Sequence, residues 1–145
     1  MKFIPQSIPD IFLIQPEIHG DSRGYFFETF RQDEFEQAIG RKIDFVQDCE
    51  SQSSKNTLRG LHFQLPPFAQ SKLVRVIKGK VLDVAVDIRK GSPTFGQYVA
   101  VELNDNNKYQ LFVPRGFAHG FVVLSEIAIL SYKLGNYYSP EHERG

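Results

Sequence analysis

His62, Lys72 and Tyr132 are side chains of types that can take up a proton, hold an anion and deliver a proton. A histidine, with an unperturbed pKa of ~6.5, takes up and releases a proton near neutrality. Lys72 shares strand parity with Val74 and Val76, so if those valines face a core the ammonium faces it too. A cation placed there is costly to keep for structure alone, and it suits an anion that develops during a reaction. Tyr132 shares a face with Ala128 and Leu130. Its phenol, with an unperturbed pKa of ~10, holds its proton at neutral pH and can still deliver it to a carbanion. Each residue also has a plain structural use, as a packed histidine, a surface lysine with a buried stem, and a core tyrosine. Arg59 and His62 stand three apart, and a regular strand would turn them to opposite faces. Gly60, between them, is where a bulge could aim both into one cavity.

The elements that must position these groups read as strands. Most apolar segments are short, rich in Val, Ile, Phe and Tyr, and punctuated by Gly, Pro or Asn. The pattern predicts strands near 11–15, 24–30, 43–53, 57–64, 73–77, 81–88, 97–103, 108–113, 119–125 and 126–134. In the strand 81–88, Leu82, Val84, Val86 and Ile88 alternate with Asp83, Ala85 and Asp87, which predicts the first set inside and the second outside. Lys78-Gly79-Lys80 is expected to fold that strand back against 73–77, and Asn104 to Asn107 to form a hairpin turn. One helix is predicted over 31–39, with Phe35, Ala38 and Ile39 at helical spacing and Gly40 ending it. Phe26, Phe27 and Phe121 are expected in the core. Many evenly spaced strands without a repeat or linker indicate one sandwich or closed barrel.

A chain of 145 residues fits a single domain over its whole length. With 17 basic and 17 acidic residues, no net field recruits nucleic acid or an anionic membrane, so any anion site must be local. The lone cysteine, Cys49, cannot close an intrachain disulfide, and the first residues lack the apolar stretch of a secretion signal. The longest apolar runs fall far short of the ~20 residues that span a bilayer. A cytoplasmic protein without membrane partners is the expectation.

Two segments resemble the metal-binding motifs of the cupin barrels: Pro114-Arg115-Gly116-Phe117-Ala118-His119, and the stretch from Gly60 to Gly79. The frame is kept and the ligands are changed. His62 remains, but Gln64 stands where a second histidine belongs and Lys72 where a glutamate belongs. An ammonium repels a cation, so the sequence argues against a metal site, although His62 and His119 alone could bind one weakly.

A sharper resemblance runs from end to end. Gly20-Asp21-Ser22-Arg23-Gly24-Tyr25-Phe26, Leu58-Arg59-Gly60-Leu61-His62-Phe63-Gln64, Lys72-Leu73-Val74-Arg75-Val76, Val113 to Phe121 and Tyr137-Tyr138-Ser139-Pro140-Glu141 are similar, in order and spacing, to the dTDP-4-dehydrorhamnose 3,5-epimerase family. The resemblance implies a cupin-type antiparallel β-barrel (jelly roll) that inverts both carbons flanking the ketone of dTDP-4-keto-6-deoxyglucose, without cofactor or metal. It implies His62 as base, Lys72 as the cation on the enolate and Tyr132 as proton donor on the opposite sugar face. It also implies Arg23, Glu28, Gln47, Arg59, His119, Tyr138 and Glu143 as substrate-binding residues. The arginines would hold the diphosphate, and the early segment of one subunit of a homodimer would reach the neighbouring site. Members of the family usually continue past the point where this sequence stops, which implies a missing tail with an aspartate that orients the base. At Cys49-Glu50 the family commonly has Asn-His, so an amide donor toward the nucleotide is lost.

Other readings stay open at this stage. One is a 3-epimerase or a 3,4-ketoisomerase on a related sugar, although ketoisomerases carry a second histidine where Phe63-Gln64 stands. Another is a cupin that only binds a nucleotide sugar, and a third is a metal-dependent dioxygenase.

Overall fold

A computed structural model describes residues 1–145. Thirteen strands and one helix follow in the order β1 (Lys2–Pro5), β2 (Phe12–Gln15), β3 (His19–Asp21), β4 (Gly24–Phe26), α1 (Gln32–Ile39), β5 (Gln47–Ser54), β6 (Leu58–Gln64), β7 (Lys72–Lys78), β8 (Lys80–Asp87), β9 (Tyr98–Asn104), β10 (Gln110–Val113), β11 (Phe117–Val123), β12 (Ile127–Leu134) and β13 (Glu143–Arg144). One antiparallel sheet has the order β1-β2-β10-β7-β12-β5 and faces a second with the order β13-β6-β11-β8-β9; β3 and β4 form a separate hairpin. This is the jelly-roll barrel expected from the sequence.

Two expected hairpins are not formed. Gly79, at φ +91°, and the Asn104–Lys108 turn carry the chain from one sheet across to the other instead of pairing their flanking strands. Alternation along a strand fixes a face but does not choose its partner. The segment 24–30 is strand only to Phe26, and β5 starts at Gln47 rather than 43. Phe26 is 68% exposed, which corrects its expected place in the core, whereas Phe121 is buried there.

The phase of β8 is also reversed. Val81, Asp83, Ala85 and Asp87 are buried, and Leu82, Val84 and Val86 are only half-buried. The apolar set does not win the interior because both aspartates find charged or hydrogen-bonding partners there, and a satisfied carboxylate is tolerated inside. Asp87 accepts from Arg89 Nε at 3.0 Å and Nη2 at 2.9 Å, and from the hydroxyls of Ser92 and Thr94. Arg89 continues to Asp10 at 2.7 Å and lies over the Phe117 ring.

The main core fills the space between the sheets with Val74, Val76, Val81, Leu103, Leu111, Val123, Ala128 and Leu130 among others. A second cluster explains the abundance of phenylalanine. Phe3, Phe12, Phe30, Phe35, Phe45 and Phe112 gather under α1 on the outer face of the larger sheet. Phe35 and Phe112 meet edge-to-face, with centroids 5.1 Å apart. The helix stops where Gly40, at φ +80°, returns its N–H to Glu36 O.

The Arg89 guanidinium, then the hydroxyls, hold the Asp87 carboxyl well below the usual carboxylate range. A depressed folded pKa adds stability that is present above the unfolded value of ~3.9 and fades as pH falls below it. Asp87→Asn is therefore expected to lose about 3 kcal/mol of unfolding free energy in urea at neutral pH. The gap to wild type should narrow below about pH 4; an equal gap at both pH values would exclude the carboxylate as its source.

Candidate active site

The bulge expected at Gly60 is present. On β11, His119 and Phe121 are two apart, yet they pair with His62 and Arg59, which are three apart on β6. The extra residue brings Arg59 and His62 onto one side of the strand. Gly60 sits at φ +97°, and a Cβ there would stand 2.5 Å from His119 O and 2.8 Å from Gly120 Cα. Only glycine fits that approach.

His62 and His119 face each other across β6 and β11, and Asp83 stands one diagonal step further on β8. Lys72 comes from β7 of the other sheet, 7% exposed and in line on one face with Val74 at 1% and Val76 at 3%. Its Nζ reaches across the barrel to within 3.4 Å of His62 Nε2. Tyr132 is half-buried on β12, opposite Val74, and lies diagonal to Lys72, which pairs with Leu134. The base, cation and phenol expected from sequence thus share one interior.

The electrostatics follow from that packing. Burial, with the Lys72 ammonium second, pulls the His62 imidazole down to about 4. Burial pulls Lys72 down to about 8, against the pull of Asp83 and Glu143. Near neutral pH the histidine is therefore an uncharged acceptor beside a charged ammonium. Burial pushes the Tyr132 phenol up, so it remains a proton carrier.

Asp83 is the site residue that sequence reasoning missed. It is solvent-inaccessible, its Oδ1 lies 2.7 Å from His119 Nε2, and its Oδ2 has no partner. The signal is the phase that Asp83 and Asp87 share with Val81 and Ala85, whereas the sequence reading expects Asp83, Ala85 and Asp87 outside. Ser53 was missed as well; its hydroxyl accepts from Arg59 Nε at 2.8 Å and fixes the guanidinium at the barrel mouth. Gln64, standing where a cupin would place a metal ligand, serves the loops instead. Its amide donates to Phe68 O and Tyr137 O and accepts from Ser139 N–H.

The other expected binding residues divide into two groups. Gln47, Tyr138 and Glu143 meet at the mouth: Gln47 Oε1 accepts from Tyr138 N–H at 3.0 Å, and Tyr138 Oη donates to Glu143 Oε2 at 2.7 Å. Gln47 also touches Cys49 Sγ at 3.6 Å, and Cys49 lies opposite Tyr132. Arg23 and Glu28 do not join them. Arg23 is on the β3–β4 hairpin, 88% exposed and paired only with Asp21, and Glu28 faces Arg31 at the surface. No three His, Cys, Asp or Glu side chains come together as metal ligands.

The sequence pattern described as dTDP-4-dehydrorhamnose 3,5-epimerase matches residues 5–145. The chain belongs to the dTDP-4-dehydrorhamnose 3,5-epimerase family. It is 57% identical over 145 residues to the Shigella flexneri enzyme of that name, covering all of this chain and 80% of that one. It is 59% identical to the Salmonella typhimurium enzyme, covering 99% and 78%. Among solved structures, a dTDP-6-deoxy-D-glucose-3,5-epimerase from Legionella pneumophila in complex with dTDP-4-keto-L-rhamnose superimposes with a TM-score of 0.95. That protein is 51% identical, with 98% of this chain and 75% of that chain covered. Like its relatives, this epimerase-family chain is of the isomerase class, and no helix in it is long and apolar enough to cross a membrane.

The bulge at Gly60 puts Arg59 and His62 on one side of β6. Gly60→Ala is expected to lower unfolding free energy by about 3 kcal/mol, through positive φ and backbone clash together, with a matching fall in melting temperature. Unchanged stability would mean that β6 can relax away from β11.

Proposed function

We propose that this protein epimerises C3 and C5 of dTDP-4-keto-6-deoxyglucose to give dTDP-4-dehydro-L-rhamnose, on the way to cell-surface rhamnose. The observation that carries the reading is the placement of Lys72 Nζ 3.4 Å from His62 Nε2, with Tyr132 across the same interior. In this reading His62 takes the proton from the carbon beside the ketone. The C–H electron pair becomes part of the enolate, and the Lys72 ammonium holds the enolate oxygen. Tyr132 returns a proton to the opposite face of that carbon. Its phenolate and the imidazolium then re-equilibrate with solvent, so no net proton is gained or lost. No cofactor or metal enters any of these steps.

Recognition of the nucleotide diphosphate is assigned to Arg59, Gln47, His119, Tyr138 and Glu143 from the same chain. Arg23 and Glu28 are assigned to the site of a second copy in a homodimer. The exposed hairpin supports that assignment: it carries Arg23 with Tyr25 at 63% and Phe26 at 68% exposure, although the Lys108 ammonium lies over the Tyr25 ring at 4.2 Å from its centroid. Residues 1–145 act as one catalytic domain in this reading, and the cytoplasm is the proposed setting, from the single cysteine and the nucleotide-linked substrate.

The test is proton NMR of dTDP-4-keto-6-deoxyglucose incubated with the protein in D2O. Wild type is expected to place deuterium at both C3 and C5, and His62→Ala to slow both exchanges by about 100-fold or more while still binding dTDP. Exchange at C3 alone would make the protein a 3-epimerase. Binding without exchange would make it a nucleotide-sugar-binding cupin, and full exchange by His62→Ala would remove His62 as base.

A further inference from the structure

The inner face of β5 carries Gln47, Cys49, Ser51 and Ser53 in a row, with the residues between them turned to solvent. Gln47 accepts from Tyr138 N–H and donates toward Cys49 Sγ, and Ser53 accepts from Arg59 Nε. Ser51 is the exception: its Oγ is closed off from solvent and makes no hydrogen bond. A hydroxyl that has lost water and gained no partner is costly to keep for the fold alone. The strand register names its neighbour. Cys49 pairs with Tyr132 and Ser51 with Leu130. Ser51 therefore stands one diagonal step from Tyr132 on the same face, at a Cβ separation of ~7 Å that a tyrosine side chain can span.

When Tyr132 gives up its proton, a phenolate is left half-buried in the barrel, and such an anion needs a donor at its oxygen. The titratable groups about it are Cys49 opposite on β5, Lys72 diagonal on β7 and Arg59 from the facing sheet. Lys72 is turned to His62, and Arg59 Nε is given to Ser53. The Ser51 O–H is uncommitted. The titration of the phenol has the matching sense: burial and Cys49 push it up, and Ser51, ahead of Arg59, draws it down. The two hydroxyls are thus close neighbours without a fully formed bond while Tyr132 holds its proton.

We infer that Ser51 is a positioning residue for the proton donor, its hydroxyl turning to the Tyr132 oxygen as the proton leaves and holding the charge that remains there. The inference rests on the reading of Tyr132 as donor. In that step the phenolic O–H bond breaks, its proton goes to the enolate carbon, and the enolate electron pair forms the new C–H bond. The phenolate oxygen accepts the Ser51 hydrogen bond, and Ser51 keeps its own proton throughout. Without that bond the donor is weaker and the enolate waits longer. His62 then returns a proton to the face it came from, and because the imidazolium exchanges with solvent, this return in D2O labels the substrate without inverting it. Loss of Ser51 should therefore separate exchange from epimerisation.

The experiment follows product and recovered dTDP-4-keto-6-deoxyglucose by proton NMR in D2O for wild type, Ser51→Ala and Tyr132→Phe, with a thermal melt of each protein. Ser51→Ala is expected to lower kcat for product on the order of tenfold at unchanged KM, the effect of losing one hydrogen bond to a charged group. Deuterium in the recovered substrate should fall far less, so its ratio to product rises. The melting temperature should hold or rise, because the resting protein loses no bond. Exchange and product falling together, or a raised KM with kcat kept, would overturn the proposal, and a lower melting temperature would overturn it in favour of a structural role. The two readings fail separately: undiminished product from Tyr132→Phe would remove the donor itself, whereas product lost in Tyr132→Phe but kept in Ser51→Ala would remove only Ser51.

Discussion

A buried ammonium facing an imidazole across the interior of a barrel is the constraint on which the rest of this structure depends. Lys72 has left water and gained no carboxylate within ion-pair distance, an arrangement that costs folding free energy and is worth keeping only for a reaction. Its effect on His62 cuts two ways. The ammonium keeps the histidine unprotonated and ready to accept, and it also weakens that base. The loss is made good if the same charge holds the enolate oxygen, because stabilising the product of deprotonation is equivalent to strengthening the base that causes it.

The barrel exists, in functional terms, to hold two sheets at the separation this pair needs. His62, His119 and Asp83 stand on one sheet, Lys72 and Tyr132 on the other, and the crossings at Gly79 and at Asn104–Lys108 keep alternate strands in opposite sheets. The bulge at Gly60 adds Arg59 to the same side as His62, and Ser53 from the facing sheet takes its Nε–H. The dry hydrophobic interior below and the polar mouth above are continuous along the same strands. On β7, for instance, Val76 and Val74 lead directly to Lys72. On the proposed reading, a proton-transfer site at the polar end of such a core has low dielectric beneath it and room for a nucleotide substrate above.

Much of this was legible in the sequence, and the failures share a cause. Parity placed Lys72 with Val74 and Val76, and the three-residue spacing around Gly60 demanded a bulge, because both follow from covalent geometry within one strand. The helix and its Gly40 stop were read from spacing in the same local way. What could not be read locally was which strand pairs with which, so two turns were taken for hairpins when they are crossings between sheets. The phase of β8 failed for a chemical reason. A rule that apolar residues go inside assumes an interior with no polar partners, and here His119 meets Asp83, while Arg89, Ser92 and Thr94 enclose Asp87. Phe26 was misplaced because hydrophobicity alone cannot separate a core residue from one displayed on a projecting hairpin.

The central claim is that burial, reinforced by the Lys72 charge, holds His62 neutral and so defines it as an acceptor. Its most direct test is an NMR titration of the His62 imidazole in wild type and in Lys72→Met, a variant that keeps the apolar stem and removes the charge. Wild-type His62 is expected to titrate at about 4, and the variant to move part of the way back toward the ordinary histidine value of ~6.5. A wild-type value already near ~6.5, unmoved by Lys72→Met, would contradict the claim and leave the lysine without electrostatic hold on the base.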